Sequence, residues 1–337
     1  MNGTEPKIEI FAPFGAAYEW MKTVLFRPFD LSKWLVIAFA AFISGSWGGG
    51  PNFNFNWGGG GDWKYQWSSQ GNAQGWSLPA WGIALLIVGV LLVLATIIVI
   101  VWVTCRGRFI FTDCVVKNRA AIAEPWREYR REGNSYFIFV LVLGFLSLLL
   151  AGILFLIIAL PLGFFSDNRA AGAGFGAFAI VAFIVLGLVW FVVGVFVALV
   201  TELMVPVMYR RRCSAKDAFL DVARLVLRHP GEFILLVLFG IVLAIAVLIL
   251  GVLIACMTCC IGGLPYISTV LLLPAIVWLL AFKLLFLRQF GDQYDVWAPV
   301  GFPPPPASPP PSPPASEPTG PASGPPVPPL PPAAGAP

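Results

Sequence analysis

Residues 81–104, WGIALLIVGVLLVLATIIVIVWVT, run for twenty-four positions without an Asp, Glu, Lys or Arg. A helix rises about 1.5 Å per residue, so roughly 20 apolar residues are needed to cross a hydrocarbon core about 30 Å thick. This stretch meets that length in one piece. It assigns the chain to the membrane proteins, and the rest of the sequence can be read outward from it.

Residues 136–165 and 175–201 each hold one more charge-free run of spanning length. From Phe233 to Phe282 fifty residues pass without an Asp, Glu, Lys or Arg, too many for one helix. Gly262, Gly263 and Pro265 mark a reversal inside that interval, because two glycines and a proline end one helix and let the chain turn back. A further apolar segment, Trp34 to Trp47, reaches spanning length only if its helix starts near Asp30. Hydrophobic residues make up 58% of the chain and charged residues 11%, a balance that suits lipid rather than water. The expected fold is all-α: a polytopic membrane helix bundle with six transmembrane helices at about 31–47, 81–104, 137–162, 177–203, 233–258 and 266–288.

Laid out on six spans, all but Lys64 and Arg169 of the 21 Lys and Arg residues fall on one side. Basic loops are retained in the cytoplasm, so both termini are expected there, in a multi-pass protein of the cell membrane. The first thirty residues are interrupted by Glu5, Lys7, Glu9, Glu19, Lys22, Arg27 and Asp30, so no cleavable signal peptide is expected and the first membrane helix serves as its own insertion signal.

Before the first, third and fifth spans one pattern recurs, an amphipathic stretch and a break leading into a membrane helix. These stretches cover about 14–27, 118–132 and 213–229. In the last, Ala215, Ala218, Phe219, Val222 and Val226 share a face opposite Asp217, Asp221, Arg224 and Arg228, which is the spacing of a helix lying on a membrane surface. The plan is then three helix hairpins, each led by a cytoplasmic amphipathic helix, and its expected partner is a bilayer with anionic headgroups. Internal duplication and a shared need for basic lead-ins explain the recurrence equally well.

Two regions fall outside this plan. Residues 45–76 hold ten Gly and five Trp, the composition of an external loop whose aromatics brush the interface. Residues 303–337 hold 18 Pro and a single charge, Glu317. Such a segment builds no core, so the membrane domain is expected to end at 302 and a disordered proline-rich tail to follow, one that can offer docking sites to a cytoplasmic protein.

The inventory of reactive groups is short. His229 is the only histidine, which removes the partner sets that a histidine-based zinc site or a Ser-His-Asp triad needs. Of the six cysteines, Cys256, Cys259 and Cys260 have metal-like spacing in an apolar helix end without a fourth ligand. They read as small buried residues, with an external disulfide as the alternative. No cofactor, metal, catalytic residue or nucleic-acid partner is expected. Charge at membrane depth is the sharper signal. Glu202 stands eight residues before Arg210 and Lys283 five before Arg288, while Arg106 and Arg108 follow the run at 81–104. An unpaired ion in hydrocarbon costs several kcal/mol, so Glu202, Lys283, Arg106 and Arg108 are expected to turn inward as a buried polar cluster, with Pro206 kinking the helix beside Glu202.

The segments AAYEWMKTVLFRPFDLSKW (16–34) and RGRFIFTDCVVKNRAAIAEPWREYRREGNSYF (106–137) resemble a family of uncharacterised bacterial integral membrane proteins with six helices. More loosely, the hairpin plan is similar to the membrane domain of glycerophosphodiester phosphodiesterases. The resemblance implies no activity and brings no catalytic residue, because the soluble phosphodiesterase domain has no counterpart here. The functional expectation is a membrane scaffold or assembly protein of the cell envelope that is not an enzyme. The alternative is a transporter or lipid-handling protein with a polar pocket around Glu202.

Overall fold

Every element of the computed structural model, which describes residues 11–45, 80–164, 169–258 and 264–298, is helical. The glycine-rich segment 46–76, the reversal with Cys259 and Cys260, and the tail from 303 lie outside the described residues. In chain order the helices are α1 (Ala12–Phe26), α2 (Leu31–Ile43), α3 (Ala80–Val116), α4 (Ala123–Glu128), α5 (Arg130–Phe164), α6 (Arg169–Arg211), α7 (Ala215–Arg228), α8 (Pro230–Met257) and α9 (Pro265–Arg288). Five of them, α3, α5, α6, α8 and α9, are long and apolar enough to cross a membrane.

The remaining expected span is a short helix. α2 begins where Asp30 caps it, the carboxylate accepting from Ser32 N at 2.8 Å, and has 13 residues. That is about 20 Å of helix against a core of about 30 Å. It runs antiparallel to the last turns of α3. Lys33 Nζ donates to Asn118 Oδ1 at 2.7 Å at one end, and Gly107 packs so tightly on Ile43 at the other that a Cβ there would lie 2.6 Å from its side chain. Gly45, at φ +68°, closes α2 against Thr104. α2 therefore stands beside residues 104–118 of α3 and not beside the apolar run before them. Ala80 begins α3 about 36 Å further along the same axis.

The other departures share one cause. α3 continues past Thr104 to Val116 and α6 continues to Arg211, so residues expected in loops are helical. The last three turns of α3 bury Cys105, Phe109, Ile110, Phe111, Cys114, Val115 and Val116, and the last turns of α6 bury Leu203, Met204, Val207, Met208 and Tyr209. Packing holds them as helix. The amphipathic stretch at 118–132 is broken instead, with Asn118 at φ +50° and only six residues in α4. Its expected break at Gly133 is absent because α5 runs through it, and Gly133 leaves room for the side chain of Arg106, whose Cγ would lie 3.0 Å from a Cβ there.

α1 is a core helix rather than a surface one. It buries Ala16, Ala17, Trp20, Met21, Val24 and Leu25, sets Phe14 against Trp278 of α9 with ring centres 4.6 Å apart, and donates from Trp20 Nε1 to the carbonyl of Val115 at 3.2 Å. The chain after α9 returns to the same place. Arg288 pairs with Asp295 at 3.1 Å, and the buried Trp297 meets Trp20 edge to face at 5.9 Å. The described N- and C-terminal parts thus lie together, at the end where the basic residues gather. In α9, Pro274 has no N–H to give the carbonyl of Val270, and Trp34 Nε1 donates to it at 3.2 Å.

Candidate functional site

α6 and α9 bring Glu202 and Lys283 together as an ion pair, both side chains half-buried. The helix is locally short of its own hydrogen bonds there. Pro206, inside α6, cannot donate to the carbonyl of Glu202, four residues earlier. The neighbouring carbonyl of Thr201 accepts from the buried Tyr136 hydroxyl of α5 at 3.2 Å, and that hydroxyl accepts from Arg108 Nη1 of α3 at 2.9 Å. Arg108, Tyr136, Thr201, Glu202 and Lys283 form one polar seam across four helices.

Arg106 is turned elsewhere. Its guanidinium donates to Asn134 Oδ1 from Nη2 at 2.8 Å and lies over the rings of Trp102 and Trp126 at 4.4 and 5.0 Å. Two aromatic faces and an amide take the place of a carboxylate. α4 supplies one of those rings, Trp126. Of the four residues singled out, Glu202 and Lys283 touch, Arg108 joins them through Tyr136, and Arg106 belongs to a separate aromatic cage.

A second polar centre lies outside that set. Asp113 of α3 is completely buried, and its carboxylate receives Lys117 Nζ at 2.7 Å, Arg119 Nε and Nη2 at 3.0 and 2.9 Å, and the Tyr209 hydroxyl at 3.0 Å. Tyr129 stacks on Tyr209 at 4.9 Å, and Arg212 covers the outer face of Tyr129 at 3.9 Å while pairing with Glu128. Burial pushes the Tyr129 phenol above its usual range. Desolvation pulls the Arg119 guanidinium down, but its bonds to Glu124 and Asp113 outweigh that and hold it above its own. The signal was an acid inside FIFTDCVV, four residues before Lys117, where a loop reading hides the i,i+4 pairing that a helix makes. With its lone pairs taken, Asp113 ties the ends of α3, α4 and α6 together, the Tyr129 hydroxyl at the end of α4 donating at 3.5 Å, and leaves no vacant base for proton transfer.

No group of three metal-binding side chains occurs among the described residues. His229 packs its ring on Phe290 at 5.4 Å, Cys105 and Cys114 are buried, and Cys256 is exposed, not buried as its apolar surroundings in the sequence suggest, because it lies on a part of α8 that no described helix covers. A groove of about 390 Å³ between α1 and α9 is lined by Phe14, Tyr18, Met21, Pro274, Ala275 and Trp278 and is apolar throughout.

The model of a family of unknown function, DUF7544, matches residues 10–296. The chain belongs to that family. No curated protein and no solved structure matches it. The DUF7544 region takes in all nine α-helices of the described residues, the Asp113 centre and the Glu202 seam, and it stops one residue short of Trp297.

Proposed function

We propose that this protein is a membrane scaffold or assembly protein of the bacterial cell envelope, with both termini in the cytoplasm and no enzymatic activity. One observation carries the reading: a densely packed basic end, which takes in most of α9, holds four long apolar helices, α3, α5, α6 and α8, whose outer halves are exposed along most of their length, among them Ile83 to Val93, Phe145 to Leu150 and Ile184 to Val193. Apart from Ser147, the side chains there are apolar on every face, which favours packing against other helices or lipid over lining a path for a polar solute. Orientation draws on the basic asymmetry and on the meeting of Trp20 with Trp297, which puts the two described ends on one side. The proline-rich segment from 303 then offers a docking strand to a cytoplasmic protein.

Photo-crosslinkers placed at Leu92, Leu148 and Leu188 in native membranes test this. A protein adduct of one defined mass at each position is expected. Adducts to lipid alone at all three would overturn it. A second reading, a transporter or lipid-handling protein, draws on the half-buried Glu202–Lys283 pair and on the apolar groove beside Pro274. Substrate-dependent flux in proteoliposomes, lost in Glu202→Gln, would favour it.

A further inference from the structure

α7 sits on the membrane domain the opposite way round from a helix resting on lipid by its apolar face. Ala215, Ala218, Val222, Leu225 and Val226 are buried against the protein, and Phe219 packs on Phe139 of α5 at 5.1 Å. The outward row is Lys216, Leu220, Arg224, Leu227 and Arg228, spaced by three and four residues so that the side chains stand in one line. Leu220 is 50% and Leu227 70% exposed, large values for leucines on a helix with a buried face available.

The charges on this row are unopposed. Asp221 is held by Arg211, and Asp217 accepts from the hydroxyl of its capping residue Ser214 at 2.6 Å. Lys216, Arg224 and Arg228 have no ion-pair partner among the described residues. α1 differs, since its Lys22 is already paired with Glu19 at 2.7 Å. The row also continues the lipid-facing surface. α8 starts two residues after α7 with Ile234 exposed, and Phe139, under Phe219, is next to the exposed Ile138 of α5.

We propose that the outward row of α7 docks on anionic phospholipid headgroups, Lys216, Arg224 and Arg228 meeting the phosphates while Leu220 and Leu227 enter the boundary with the acyl chains. Cations alternating with leucines suit that layered boundary, where charge and apolar surface lie a few ångströms apart. Three such cations favour an anionic over a neutral surface by about a hundredfold at low salt. The inference rests on the membrane reading above but not on the scaffold role.

The test uses full-length protein in detergent micelles, titrated with phosphatidylglycerol or phosphatidylcholine and followed by native mass spectrometry. Tighter binding of phosphatidylglycerol is expected, with at least a tenfold loss in Lys216→Gln/Arg224→Gln/Arg228→Gln and retention in Lys216→Arg/Arg224→Lys/Arg228→Lys. All these positions are exposed, so a gel-filtration profile like the parent's is expected of each variant. Equal binding of the two lipids, or an unchanged affinity in the triple glutamine variant, overturns the proposal. So does binding of soluble polyglutamate through the same three residues in place of lipid, which would assign the face to an acidic protein. Carbonate extraction separates the failures: release of the parent protein from membranes would sink the membrane reading itself, whereas a protein that stays in the membrane without lipid preference sinks only the docking face.

Discussion

The two halves of α3 contrast two solvents. Its last three turns, Cys105 to Val116, are buried among α2, α5 and α6, whereas Leu85 to Leu94 expose nearly every side chain. Both halves are helical and mostly apolar. Water drives the basic end together, because apolar area there is removed from a polar solvent. Lipid supplies no such drive to the outer half, so helices associate there only through close packing or polar contacts, and leucine and valine provide neither strongly. Polar links confirm the division. Asp113, the Arg106 cage and the Tyr136 seam all lie at or below the level of Trp102, where the helices do touch.

Substitutions break this contrast to different degrees. Asp113→Ala leaves Lys117 and Arg119 beside an empty buried site, and losing one member of a buried charge cluster costs about 3–5 kcal/mol. Loss of monodisperse protein or a large fall in thermal unfolding temperature is expected. Gly107→Val drives a side chain into the backbone of Ile43 and Ser44, which a Cβ alone approaches to 2.8 Å. Overpacking of this kind costs about 1–3 kcal/mol, and α2 should show it first as faster hydrogen exchange. Gly133→Ala should cost less, since the atom it meets is the flexible stem of Arg106.

Glu202 and Lys283 fall between the two regions. Both are half-buried, so a double-mutant cycle of Glu202→Gln and Lys283→Met should return a coupling on the order of 1 kcal/mol, read from thermal unfolding. A coupling near zero would mean that the pair is solvated and the seam ends at Tyr136. Leu92→Ala in the outer half should shift stability by less than about 0.5 kcal/mol. Cys213 probes the edge of the packed end. Burial raises its thiol, so at a given pH less thiolate is present than on an unhindered cysteine. Its alkylation, followed by peptide mass mapping, should be slower in the folded protein and should rise with pH over a range displaced upward. Alkylation matching the unfolded chain would show that α6 and α7 open there.

Legibility followed the same boundary. α3, α5, α6, α8 and α9 were readable because charge-free length is a local property, and Glu202 with Lys283 stood out as ions in apolar runs. Asp113 did not, because residues 105–119 mix five charges with apolar residues and look like a cytoplasmic loop until packing makes them helix. The start of α2 at Asp30 was visible, but its shortness and its place beside Gly107 were not, since that contact joins residues more than sixty apart.

By itself, the sequence determined which segments are apolar enough for lipid, where the positive charge collects and where a helix starts, as at Asp30. Hydropathy, net charge and capping act over a few residues, so composition and spacing suffice to read them. Only the tertiary structure decided that Arg106 is held by aromatic faces, that Asp113 gathers three helix ends and that α7 turns Leu220, Leu227 and its unpaired cations outward. Each of those outcomes depends on which distant side chain is nearest, and that is settled by how the helices pack at the one end of the molecule where water makes packing favourable.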